Sequence, residues 1–167
     1  MAPDRFARDA TSDDLRRVIR ALNEAGAEYL LIGGYALAAW GHQRATRDID
    51  ILVRPTRDTG ERVKRALLVL PDRAAADLDP AWFEESDTIR VADEIVVDVM
   101  FNACGETYES LKVFERTLDL GDGTVVRTVD LEGLLKTKQT TRNKNDDDRI
   151  FIETALRLRN ETEGSKG

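Results

Sequence analysis

Asp48 and Asp50 stand two residues apart where a β-rich run of Ile49, Ile51 and Val53 opens. A strand repeats every two residues, so both carboxylates project from one face and the isoleucines from the other. Two like charges held together need a compensating cation. Carboxylate oxygens suit Mg²⁺, which keeps several waters and takes phosphate oxygens as further ligands; Mn²⁺ is the alternative ion. A two-metal centre needs at least one more carboxylate. Asp98 supplies a candidate, in the middle of the strand-like run 94–101. An aspartate inside a buried strand is costly unless it is paired or holds a metal. If that strand lies beside the Asp48/Asp50 strand, three carboxylates meet at one place.

The elements that must position these acids surround them. Residues 29–32 form an apolar run that reads as a short buried strand. Gly33 and Gly34 turn the chain and allow a backbone or ligand to come close. A helix is expected over 35–40, beginning at Tyr35. Its free N–H groups and dipole would face the turn and suit a phosphate. A basic loop over 42–47, with Arg44 and Arg47, leads into the acidic strand. A second basic cluster, Lys138, Arg142 and Lys144, lies in a charged stretch near the end of the chain.

The whole pattern resembles the polymerase-beta-type nucleotidyltransferase superfamily. That superfamily joins a Gly-Gly or Gly-Ser turn, a short helix, an Asp-x-Asp strand and a third Asp on a later strand. Gly33-Gly34, Asp48-Ile49-Asp50 and Asp98 match these parts. Within the superfamily, the chain is most similar to small bacterial and archaeal proteins related to abortive-infection toxins. Arg44-Ala45-Thr46-Arg47-Asp48-Ile49-Asp50 fits their Arg-x-Thr-x-Asp-x-Asp pattern, and Lys138, Arg142, Lys144 and Asp148 fit their C-terminal element. Asn145 takes the place of a usual Asp there, and Tyr35 that of Ser or a small residue. The likeness spans residues 15–158.

The resemblance implies a Mg²⁺-dependent nucleotidyltransferase that uses a nucleoside triphosphate (NTP) as substrate. Asp48, Asp50 and Asp98 would be the catalytic and metal-holding acids. Gly33, Gly34, Tyr35, Arg44, Arg47, Lys138, Arg142 and Lys144 would contact the nucleotide. The acceptor hydroxyl could belong to a tRNA end, a protein side chain or a small molecule. A cognate antitoxin is a further partner of this toxin-like branch.

Other readings stay open. Asp48 and Asp50 could cap the strand or pair with Arg44 and Arg47, and Asp98 could pair with a buried Arg. The glycines could serve tight packing, and the basic cluster could be a solvated face. The protein could then be a non-catalytic nucleotide-binding module, or a toxin–antitoxin interaction module. His42, the one histidine, reads as a loop or packing residue, and Cys104, the one cysteine, as structural.

The 167 residues suit a single domain with a helical appendage. The fold class expected is α/β (α+β), a small mixed sheet with packed helices. The nucleotidyltransferase core would span 1–129, a helical element 130–160 and a polar, disordered tail 161–167. With 41% apolar and 34% charged residues the chain has the composition of a globular protein. No membrane-spanning run or secretory signal pattern is evident, so a cytoplasmic location is expected. A net charge of −7 does not advertise nucleic-acid binding over the whole surface.

Helices are expected over 12–25, 57–69, 108–114, 131–137 and 150–158. Strands are expected over 88–91 and 94–101 with a tight turn at Ala92-Asp93, and on both sides of Gly121-Asp122-Gly123.

Overall fold

The computed structural model describes residues 7–42, 46–138 and 143–164. Its centre is a pair of short strands, β1 (Tyr29–Ile32) and β2 (Ile49–Val53), joined antiparallel. Every residue of β1 is buried, as are Ile49, Ile51, Leu52 and Val53 of β2. A strand covered on both faces reads as an unbroken apolar run, which is why LLI and ILV lack a polar alternation.

Two hairpins extend this pair. On one side β3 (Thr88–Ala92) and β4 (Val96–Met100) are antiparallel, and β4 joins β2 in parallel. On the other side β5 (Glu115–Asp119) and β6 (Val125–Val129) are antiparallel, and β6 joins β1 in parallel. The order is β3-β4-β2-β1-β6-β5, a mixed six-stranded sheet. This is the α/β architecture expected from the sequence.

The helices follow from their caps and apolar stripes. α1 (Ser12–Glu24) buries Leu15, Val18, Ile19 and Leu22, spaced at helical period, and packs against α3 (Arg57–Leu67). α2 (Gly33–Ala39) starts at the glycines themselves, two residues earlier than expected. α4 (Tyr108–Leu111) is a single short turn. Asp130 caps α5 (Leu131–Lys136) by accepting a hydrogen bond from the Gly133 N–H. α6 (Asn143–Gly164) packs on α5. It is far longer than the expected helix and continues four residues into the segment read as tail; 165–167 lie outside the described residues. Among the described residues no helix is long and apolar enough to cross a membrane.

The β3–β4 turn differs from its expectation. A two-residue turn at Ala92-Asp93 would pair residue 90 with 95. In the structure the connection is 93–95, and Arg90 faces Asp98. The reason is Asp93. Its carboxylate is buried and accepts backbone N–H bonds from Asp72, Ala74 and Glu94 at 2.9, 2.9 and 2.7 Å. A residue so committed opens the loop rather than closing the strand.

Residues 8–10 bind the site segment from outside. The Arg8 N–H donates to the Glu94 carbonyl, and the Ala10 N–H to that of Arg47. The Arg8 guanidinium donates to both Asp14 oxygens, at 2.5 and 2.9 Å. Asp14 also closes a capping box with Thr11. The Arg8 bonds hold the Asp14 carboxyl well below the usual carboxylate range, against the opposing push of burial. A depressed carboxyl stabilises the fold fully above its unfolded value, about 3.9, and loses that contribution as pH falls toward the folded value. Asp14→Asn should therefore lower stability at pH 7 by about 1.5–3 kcal/mol. The gap to wild type should narrow below about pH 4. Urea unfolding at pH 7 and pH 3 checks both.

Candidate active site

The site is a row across the sheet. Arg90 on β3 is the register neighbour of Asp98 on β4, Asp98 that of Asp50 on β2, and Asp50 that of Ile32 on β1. Register neighbours project to the same face, so these strands bring Asp50 and Asp98 together as the sequence anticipated. Asp48 immediately precedes β2. The Asp98 side chain is nearly buried, at 12% exposure, and that of Asp48 is 30% exposed.

Gly33 follows Ile32 at the end of this row. Its φ is +75°, a conformation open to glycine at little cost. A Cβ placed on it would lie 3.1 Å from both Cβ and Cγ of Asp50 and would collide with Oδ2. The glycine thus provides the room in which the Asp50 carboxylate sits against the first turn of α2. Gly34 is buried in the same turn.

Arg90 is a residue that the sequence reading did not single out. Its Nε and Nη2 donate to Asp98 Oδ1 and Oδ2 at 3.0 and 3.2 Å, and Nη2 also reaches Asp48 Oδ2 at 3.3 Å. The open alternative of an Asp98–Arg pair is thus realised, by an arginine half exposed on an edge strand. A signal for it existed in the alternation of TIRVA, once the three-residue turn is known.

The remaining residues are spread around this row. The Tyr35 hydroxyl donates to the Ala10 carbonyl, which fastens α2 to the segment before α1. Tyr35 and Thr46 line a cleft of about 410 Å³, with Thr11, Leu15 and Arg16; none of the three acids lines it. The Arg47 side chain is exposed and bonds Asp9 at 3.1 Å. Lys138 is buried, with Nζ 3.3 Å from Asp148 Oδ2. Asp148 is fully buried, and His42 Nε2 lies 3.2 Å from its other oxygen. The His42 ring stacks on Phe151, with ring centroids 4.5 Å apart. Asp148 therefore orients Lys138, and His42 is the packing residue expected. Lys144 lies at the start of α6. Arg44 and Arg142 lie outside the described residues.

The acids offer the right chemistry for a hard divalent ion, since all their donors are carboxylate oxygens. Among the described residues no three acid, His or Cys side chains are gathered as a metal cage. Two of the acids instead share the Arg90 guanidinium. The donor set fits Mg²⁺; closure of the three around an ion requires Arg90 to yield.

A mixed sheet with a glycine turn, an Asp-x-Asp strand and a third Asp on the parallel neighbour defines a nucleotidyltransferase-type site. Residues 13–150 match a family model described as "Nucleotidyl transferase AbiEii toxin, Type IV TA system". The chain belongs to this family of nucleotidyltransferase toxins of toxin–antitoxin systems. A search of curated proteins found no match.

Gly33→Ala should destabilise the protein by about 1–3 kcal/mol, from the left-handed backbone alone, with more from the collision with Asp50. The same substitution in an Asp50→Ala background should cost less, because the carboxylate is gone. A double-mutant cycle by denaturant unfolding measures the difference; strictly additive costs would show that the two residues do not press on each other.

Proposed function

We propose that the protein transfers a nucleoside monophosphate from an NTP to an acceptor hydroxyl. The observation that carries this reading is the cross-strand register that sets Asp98 beside Asp50, against Gly33. Family membership supports the reaction class.

Asp48, Asp50 and Asp98 would hold Mg²⁺, with Mn²⁺ as the alternative. When bound, the ion would neutralise phosphate charge and polarise the phosphoryl oxygens. The backbone of Gly33, Gly34 and Tyr35 would receive the triphosphate. Arg44, Arg47, Arg142 and Lys144 would add positive charge along it, with Lys138 supporting them from its buried pair with Asp148. The acceptor oxygen attacks the α-phosphorus in line and its proton passes to Asp98. The bond to the bridging oxygen breaks and pyrophosphate leaves. Positioning and charge neutralisation carry the rate, without a covalent enzyme intermediate.

The acceptor is a tRNA end, a protein side chain or a small molecule, and the labelled product identifies which. A cognate antitoxin is the macromolecular partner expected of a toxin–antitoxin family, and the cytoplasm is the compartment where NTP, tRNA and antitoxin would meet.

Incubation with Mg²⁺, each α-labelled NTP and separate RNA and protein pools tests this. Wild type should label one pool. Asp98→Asn should reduce labelling at least about a hundredfold, the lower range for loss of a general base, while keeping its circular dichroism spectrum. Full labelling by Asp98→Asn would remove Asp98 from the chemistry. Mg²⁺-dependent NTP binding without transfer would make the protein a nucleotide sensor.

A further inference from the structure

Arg90 touches two of the three acids assigned above to the cation. It bonds Asp98 side-on through Nε and Nη2, at 3.0 and 3.2 Å, and reaches Asp48 through Nη2 at 3.3 Å. Side-on pairing of a guanidinium with a carboxylate is the strong form of the ion pair, because two parallel bonds share one geometry. It takes up lone pairs that a divalent ion needs. Arg90 is at the same time within reach of solvent. It sits on the edge strand β3 and its side chain is 48% exposed. The β3–β4 ladder runs through the backbone over five register pairs, so the guanidinium can swing out without loss of a sheet bond.

We propose that Arg90 is a resident counter-ion that competes with the divalent cation for Asp48 and Asp98. The inference rests on the nucleotidyltransferase reading of these acids. Arg90 holds the carboxylates in place before a cation arrives. It also sets the cation concentration at which the site fills, so that it is a positioning residue and a brake on metal loading.

The test uses the full chain and Mn²⁺ alone, with free Mn²⁺ followed by electron paramagnetic resonance. Arg90→Ala should bind Mn²⁺ about tenfold more tightly than wild type. Arg90→Lys keeps the charge but cannot pair side-on, and its affinity should fall between the two; affinity tighter than that of Arg90→Ala would contradict the competition. In EDTA, Arg90→Ala should melt below wild type, and saturating Mn²⁺ should close that gap. A purely structural arginine would leave the gap unchanged by metal, which contradicts the proposal, as would unchanged or weaker Mn²⁺ binding by Arg90→Ala. If Arg90→Ala fails to fold, Arg90→Lys and Arg90→Gln carry the same comparison. Asp50→Asn separates the two levels of the claim. If it binds Mn²⁺ as tightly as wild type, the cation does not use these acids and the metal reading falls along with the role of Arg90. If it loses Mn²⁺ while Arg90→Ala gains nothing, only the role of Arg90 falls.

Discussion

Like charges repel, and this fold sets Asp98 beside Asp50, with Asp48 just ahead of the same strand. At an effective dielectric near 20, two unit charges 4 Å apart repel by about 4 kcal/mol. Neighbouring strands lie about 4.7–4.9 Å apart, so Asp50 and Asp98 stay neighbours once β2 and β4 pair. The sheet fixes them there through backbone bonds that the side chains do not control. What remains is to supply a cation, and the protein supplies Arg90, opposite Asp98. On the proposed reading, such a site exchanges one cation for another rather than standing empty.

The rest of the chain keeps that row in register. β1 and β2 are buried on both faces, which anchors the Asp-x-Asp strand in the core. The Thr128 hydroxyl donates to the Leu31 carbonyl at 2.7 Å and reinforces the single parallel contact of β6 with β1. α2 is fastened at both ends, by Tyr35 to Ala10 and by the Trp40 indole N–H to the Val129 carbonyl at 3.0 Å. His42, just past α2, is held to α6 through Asp148 and Phe151. Burying Asp148 is costly unless it is paired; with a lysine and an imidazole beside it, the pair specifies where the C-terminal helix docks.

Much of this was legible in the sequence, for local reasons. The stripe Leu15, Val18, Ile19 and Leu22, the apolar run 29–32 and the Gly-Asp-Gly turn are all set by near neighbours. The pairing of Asp98 with the Asp48/Asp50 strand was anticipated because an acid within an apolar strand demands a partner. Three features were not legible. The order of six strands depends on long-range packing that one sequence does not display. Arg90 was hidden by a three-residue difference in the register of the β3–β4 hairpin, where buried Asp93 is committed to the backbone of Asp72, Ala74 and Glu94. The start of α2 at Gly33 was missed because glycine weakens helices, whereas here its left-handed φ and missing Cβ make room for Asp50.

The most direct test of the account is to place a paramagnetic ion at the site. Amide resonances of ¹⁵N-labelled protein should be recorded as Mn²⁺ and a nucleoside triphosphate are added. Broadening should centre on Gly33, Asp50 and Asp98 and disappear in Asp48→Asn/Asp50→Asn. Broadening centred elsewhere in the molecule, or unchanged in that variant, would contradict the claim that this row of carboxylates is a cation-dependent nucleotide site.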